Sequence, residues 1–123
     1  MTHILLIDDD EQFRTMLSQM LHQDNHQVTV ARDGEEGLRL ARQLTPDLII
    51  TDILMPNMDG LDTIMALNHD DRKIPIIAIS GGRRALSAEF NLDSASMIGV
   101  KVTLAKPFER ATLRLAIDKA LTC

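Results

Sequence analysis

Apolar residues along this 123-residue chain follow two alternating rhythms. Residues 3–8, HILLID, form a short apolar run of strand length that closes on an aspartate. The period then changes. Within DDEQFRTMLSQMLHQ (9–23), Phe13, Met16, Leu17, Met20 and Leu21 recur at i, i+3, i+4, i+7 and i+8, one stripe of a helix. HQVTVA (26–31) alternates as a strand does, and DGEEGLRLARQL (33–44) reads as a helix with Asp33 as its N-cap, with Pro46 ending that region. DLIITD (47–52) is a third strand, LDTIMALNH (61–69) a helix and IPIIAIS (74–80) a fourth strand. The pair Gly81-Gly82 breaks the pattern, so GGRRALSAEF (81–90) is predicted as a long loop, and NLDSASMIG (91–99) as a short helix ending at Gly99. VKVTLA (100–105) is the fifth strand. After Pro107, FERATLRLAIDKAL (108–121) places Leu113, Ile117, Ala120 and Leu121 on one helical face.

Strands alternating with helices imply a parallel sheet covered on both faces. The nearly continuous apolar runs of strands one, three and four agree, because a strand buried on both sides has no polar face. The expected fold class is α/β: a doubly wound (βα)₅ three-layer sandwich, with a parallel five-stranded sheet in the order 2-1-3-4-5, one of the common solutions for such chains. No repeat, low-complexity tract or linker interrupts it, so a single domain over 1–123 is expected.

Composition narrows the function classes. Hydrophobic residues make up 45% of the chain but aromatics only 2%, so the core is aliphatic, with seven methionines to fill gaps. A formal net charge of −5 argues against nucleic acid as a direct partner. The lone cysteine, Cys123, cannot make an internal disulfide. Apolar runs are too short to cross a membrane, and the N-terminus lacks the basic region of a signal peptide. A cytoplasmic protein is expected.

The candidate chemistry lies where strands end. Strand one runs into Asp8-Asp9, strand three ends in Asp52, strand four in Ser80, and strand five continues to Lys106-Pro107. Open α/β sheets carry their sites at that edge, at the switch point between strands one and three. Three carboxylates gathered there repel one another, and a hard divalent cation such as Mg²⁺ relieves the repulsion. Lys106 offers a compact positive charge for a phosphate oxygen, and Ser80 a hydroxyl donor. A carboxylate nucleophile among a cation, an ammonium and a hydroxyl suits phosphoryl transfer, with Asp52 receiving the group. Each residue also has a plain structural reading. Asp8-Asp9-Asp10 can cap a helix, Asp59-Gly60 can make a turn, and an isolated serine or lysine says little. The combination favours the chemical reading.

The segments ILLIDDDEQFR, TDILMPNMDG, IIAIS and TLAKPF resemble, in order and spacing, the four signature segments of the response-regulator receiver domain, chemotaxis-regulator-like modules of two-component signalling with a flavodoxin-like fold. The resemblance spans essentially the whole chain. It implies that Asp52 accepts a phosphoryl group from a sensor histidine kinase or a phosphotransfer protein. It implies Mg²⁺ as cofactor, with Asp9 and Asp52 as direct ligands, Asp8 acting through water and the backbone carbonyl of Leu54 as a further ligand. It matches Ser80 to the switch hydroxyl, Lys106 to the phosphate-binding lysine, and Pro107 to the proline of a cis Lys-Pro bond. The strand-five position that carries Tyr or Phe in many members is Thr103 here, so the usual hydroxyl-aromatic coupling cannot operate in the same way.

On this reading the chain is a signalling switch and not an enzyme in the ordinary sense. It catalyses only its own phosphoryl transfer and self-dephosphorylation. Its output is a downstream protein bound through the fourth helix, fifth strand and fifth helix. No effector domain has room in these 123 residues, although an excised receiver from a longer protein fits equally well. Two alternative functions use the same fold or the same chemistry. A phosphorylation-independent interaction module on the same fold is expected to have a degraded site. An aspartyl-phosphate phosphohydrolase needs a second aspartate two residues after the nucleophile, where this chain has Leu54.

Overall fold

The computed structural model describes residues 2–52, 66–67, 74–80, 100–105 and 108–122. Its strands are β1 (His3–Ile7), β2 (Gln27–Ala31), β3 (Leu48–Asp52), β4 (Ile76–Ser80) and β5 (Val102–Ala105). The described helices are α1 (Glu11–Gln23), α2 (Gly34–Leu44) and α3 (Arg110–Leu121). The strands form one sheet, parallel as the alternation of strand and helix predicts, in the expected order β2-β1-β3-β4-β5. The predicted loop 81–90 and short helix 91–99 lie outside the described residues. So does most of the predicted helix 61–69, of which residues 66–67 are helical.

The ends of the elements follow local chemistry. Asp10 caps α1, its carboxylate accepting from the backbone N–H of Gln12 and Phe13 at 3.0 and 3.2 Å. Asp33 caps α2 by accepting from Glu36 N–H at 2.9 Å, as expected from sequence. Two turns use left-handed backbone without glycine, at Asn25 (φ 68°) after α1 and Thr45 (φ 46°) after α2.

Successive strand residues serve opposite faces of the sheet. Ile4, Leu6, Leu48, Ile50, Ile77 and Ile79 face a core completed by Leu17 and Leu21 of α1 and by Leu113 and Ile117 of α3. Leu5, Ile7, Ile49, Ile76 and Ala78 face the other side, with Ala41 of α2 and Leu67. The helical stripes need two corrections. Met16 is 46% exposed and Leu121 38% exposed, so neither belongs to the buried face of its helix. Ala116, absent from the predicted face of the last helix, is buried instead. Among the described residues, no helix is long and apolar enough to cross a membrane.

Candidate functional site

β1 is the switch strand. It pairs with β2 on one side and β3 on the other, so the chain leaves its C-terminal end in one direction and returns on the opposite side. The last registered pair between β1 and β3 is Ile7 with Thr51. The residues that follow, Asp8 and Asp52, therefore emerge side by side from a solid apolar layer. Asp8 is 1% exposed and Asp52 4%, while Asp9 reaches solvent. One carboxylate oxygen from each of Asp8, Asp9 and Asp52 lies within 4.8 Å of the others.

Local bonds divide the acidic run. Asp10 turns away to cap α1. Asp8 is held on three sides: its N–H donates to Ala31 O at 3.1 Å, its Oδ1 accepts from Asp10 N–H at 2.9 Å, and its carbonyl accepts from Arg14 Nη1 at 2.8 Å. Beside Asp52, the wholly buried Thr51 donates from its hydroxyl to the Asp52 carbonyl at 3.0 Å. Neither Arg14 nor Thr51 was singled out from sequence. Arg14 follows an acidic run at helical spacing, which hints at a return contact, but a surface arginine gives the same hint.

Ser80 closes β4 in register with Ala105 of β5, so the backbone of both reaches the edge where Asp52 stands. Thr103 pairs with Ala78 in the sheet. Lys106, Pro107, Leu54, Gly81 and Gly82 lie outside the described residues. Near the Lys106 segment, Phe108 meets Phe13 of α1 edge to face, with ring centroids 5.9 Å apart. The first two turns of α1 thus touch both the acidic loop and the chain that follows β5.

The donor set suits a small hard cation. All three candidate ligands are carboxylate oxygens lying within 4.8 Å of one another, near enough to share one cation directly or through water. No soft donor is among them. Three carboxylates so close, two of them out of water, suit a bound cation, whose charge would offset theirs.

Comparison with known proteins points the same way. A sequence model of the response regulator receiver domain matches residues 4–118. The chain is 34% identical over 96 residues to the transcriptional regulatory protein AfsQ1 of Streptomyces coelicolor, which covers 78% of this chain and 42% of that protein. It is 32% identical over 105 residues to the alkaline phosphatase synthesis transcriptional regulatory protein PhoP of Bacillus subtilis, covering 85% of this chain and 42% of the relative. The chain therefore spans about two fifths of the length of these curated relatives. Among solved structures, the chemotaxis protein CheY4 of Vibrio cholerae superposes with a TM-score of 0.85 at 28% identity, over 98% of this chain and 99% of that one.

Proposed function

Because the chain belongs to the response regulator receiver domain family, we propose that it is the phospho-accepting switch of a two-component pathway, with Asp52 as acceptor. The observation that carries the reading is the convergence of Asp8, Asp9 and Asp52 at the switch point of the sheet, with Asp52 itself buried. Such a cluster is unfavourable for folding alone and suits a site that gathers positive charge around a phosphoryl group. A module that works without phosphorylation has no use for it.

In the proposed reaction a carboxylate oxygen of Asp52 attacks phosphorus of a phosphohistidine on a kinase or phosphotransfer protein. The P–N bond breaks and its electron pair returns to the imidazole. Thr51 ties its own side chain to the Asp52 carbonyl, and the sheet holds the backbone, so the nucleophile stays at the strand mouth. Asp9 and Asp52 would hold Mg²⁺ directly and Asp8 through water, with the Leu54 carbonyl as a further ligand. When bound, Mg²⁺ offsets charge on the phosphoryl oxygens. Lys106 pairs with a phosphoryl oxygen and Ser80 donates to the same group. Gly81, Gly82, Thr103 and the Lys106-Pro107 junction form the route by which the modified site alters the surface. The downstream protein partner docks on the face of the predicted helix 91–99, β5 and α3, with no nucleic acid bound directly. We place the activity in the cytoplasm, within a single receiver unit over residues 1–123. The chain is a switch whose only chemistry is gain and loss of its own phosphoryl group.

The test is incubation with acetyl phosphate and Mg²⁺, read by intact mass. Wild type should gain one phosphoryl group, Asp52→Ala none, and Asp9→Asn should lose both labelling and most Mg²⁺ binding. Equal labelling of wild type and Asp52→Ala would place the acceptor elsewhere.

A further inference from the structure

We propose that Arg14 is a positioning residue of the acidic pocket: its guanidinium holds the Asp8 carbonyl and thereby sets where the Asp8 and Asp9 carboxylates stand. The inference rests on reading Asp8, Asp9 and Asp52 as a cation and phosphoryl site, and it names a residue that organises that site without touching the ligand.

The need arises where the sheet stops. Asp8 still donates its N–H to Ala31 O at 3.1 Å, the final bond toward β2, and then the chain bends into α1. At 1% exposure Asp8 has almost no access to water, and a buried carbonyl without a donor is unfavourable. Arg14 Nη1 supplies that donor at 2.8 Å from the second turn of α1. The helix it extends from is capped by Asp10, whose N–H donates to Asp8 Oδ1 at 2.9 Å. The backbone carbonyl and the side chain of Asp8 are thus both fastened to α1, one through Arg14 and one through Asp10. Asp9, between the two fastened residues, has little freedom to swing.

Charge alone does not account for an arginine here. A cation near a helix N-terminus opposes the helix dipole, and a cation beside a metal site opposes the metal. Its placement makes sense through the hydrogen bond it donates. The two roles predict opposite outcomes. If Arg14 acted only as a charge, its removal would strengthen Mg²⁺ binding. If it positions the loop, its removal weakens binding despite the gain in negative charge.

The experiment compares wild type, Arg14→Met and Arg14→Lys. Methionine keeps much of the apolar stem and removes donor and charge, whereas lysine keeps the charge and one reaching donor. Mg²⁺ affinity, followed by the backbone amide shifts of Asp9 and Asp10, should fall by about ten-fold in Arg14→Met, the usual scale for groups that orient ligands. Arg14→Lys should recover most of it. Without metal, exchange of the Asp10 amide should quicken in Arg14→Met while Leu17 and Leu21 amides stay as protected as in wild type. Mg²⁺ binding as tight as wild type or tighter in Arg14→Met overturns the inference, as does unchanged exchange at Asp10. If wild type itself binds no Mg²⁺, the cation reading fails on its own, and the metal-free exchange measurement still decides the role of Arg14.

Discussion

Gly37, in the first turn and a half of α2, sits against β1 so closely that any side chain there meets Ile7. A β-carbon built on Gly37 lies 2.3 Å from Ile7 Cδ1, 2.7 Å from Cγ1 and 3.3 Å from Cγ2. Carbon atoms in ordinary contact are about 3.5–4.0 Å apart. Rotation of the Ile7 side-chain end can clear Cδ1, but Cγ1 moves only with the stiff first torsion of a β-branched residue, which in turn swings Cγ2. Ile7 is wholly buried, so it has no open space to move into. Gly37→Ala gains about 1 kcal/mol of helix propensity and loses about 1–3 kcal/mol to overpacking. The expected net is destabilisation of about 1 kcal/mol, a fall of about 4 °C in Tm for a chain of this size. The assay is reversible urea unfolding of Gly37→Ala, Ile7→Ala and the double variant. Ile7→Ala alone should cost about 2–5 kcal/mol by leaving a cavity. In that background the added methyl group occupies vacated space, so Gly37→Ala should become stabilising, with a coupling of about 2 kcal/mol between the sites. If Gly37→Ala stabilises the wild-type background by the full propensity gain, or acts equally in both backgrounds, helix and strand are not in the contact described. Because Ile7 directly precedes Asp8, the same overpacking should also weaken Mg²⁺ binding.

Three further outcomes are expected. Asp52→Ala or Asp9→Ala should raise Tm in the absence of Mg²⁺, since either removes one member of a cluster of carboxylates, while abolishing labelling by acetyl phosphate; a clear loss of stability in either would contradict a strained site. Arg110 of α3 pairs with Asp24 after α1, and Arg114 approaches the same carboxylate at 3.9 Å. The Arg110 hydrogen bond, aided by both positive charges, holds the Asp24 carboxyl below its ordinary 3.8. A lowered carboxyl pKa stabilises the fold above the unfolded value and ceases to do so as pH falls through the folded one. The stability gap between wild type and Arg110→Gln should therefore be constant near neutrality and close as pH drops below 3.8, in urea titrations across that range; a gap that persists when Asp24 is protonated would assign it to packing of the arginine stem. Finally, neither Leu54 nor Gly82 can hydrogen-bond an attacking water through its side chain. Phosphorylated protein should decay slowly, and Leu54→Asn combined with Gly82→Glu should quicken decay about ten-fold, roughly 1.4 kcal/mol of barrier; wild type already as fast as the double variant would refute that assignment.

Much of this molecule is legible in the order of its residues because the relevant physics is local or periodic. Period-two and period-3.6 patterns mark the elements, and the rule that parallel strands need crossover helices then restricts the sheet. Asp8, Asp9 and Asp52 were legible as a group because each ends a strand, and the ends of parallel strands share one edge. The N-cap role of Asp33 was legible for the same local reason. Tertiary structure alone decided that Asp10 is the one of three consecutive aspartates that caps α1, since that depends on how the chain bends after the last ladder bond of β1. It alone showed Met16 and Leu121 exposed, because a periodic stripe does not state which of its residues a neighbouring element covers. The Arg14 bond to Asp8, the pairing of Asp24 with Arg110 and the contact of Gly37 with Ile7 likewise join residues whose meeting depends on three-dimensional packing. A sequence pattern specifies which face of an element is apolar, but not how closely two elements approach or which polar group lies within 3 Å of which. Those distances are set only when all the layers have packed together.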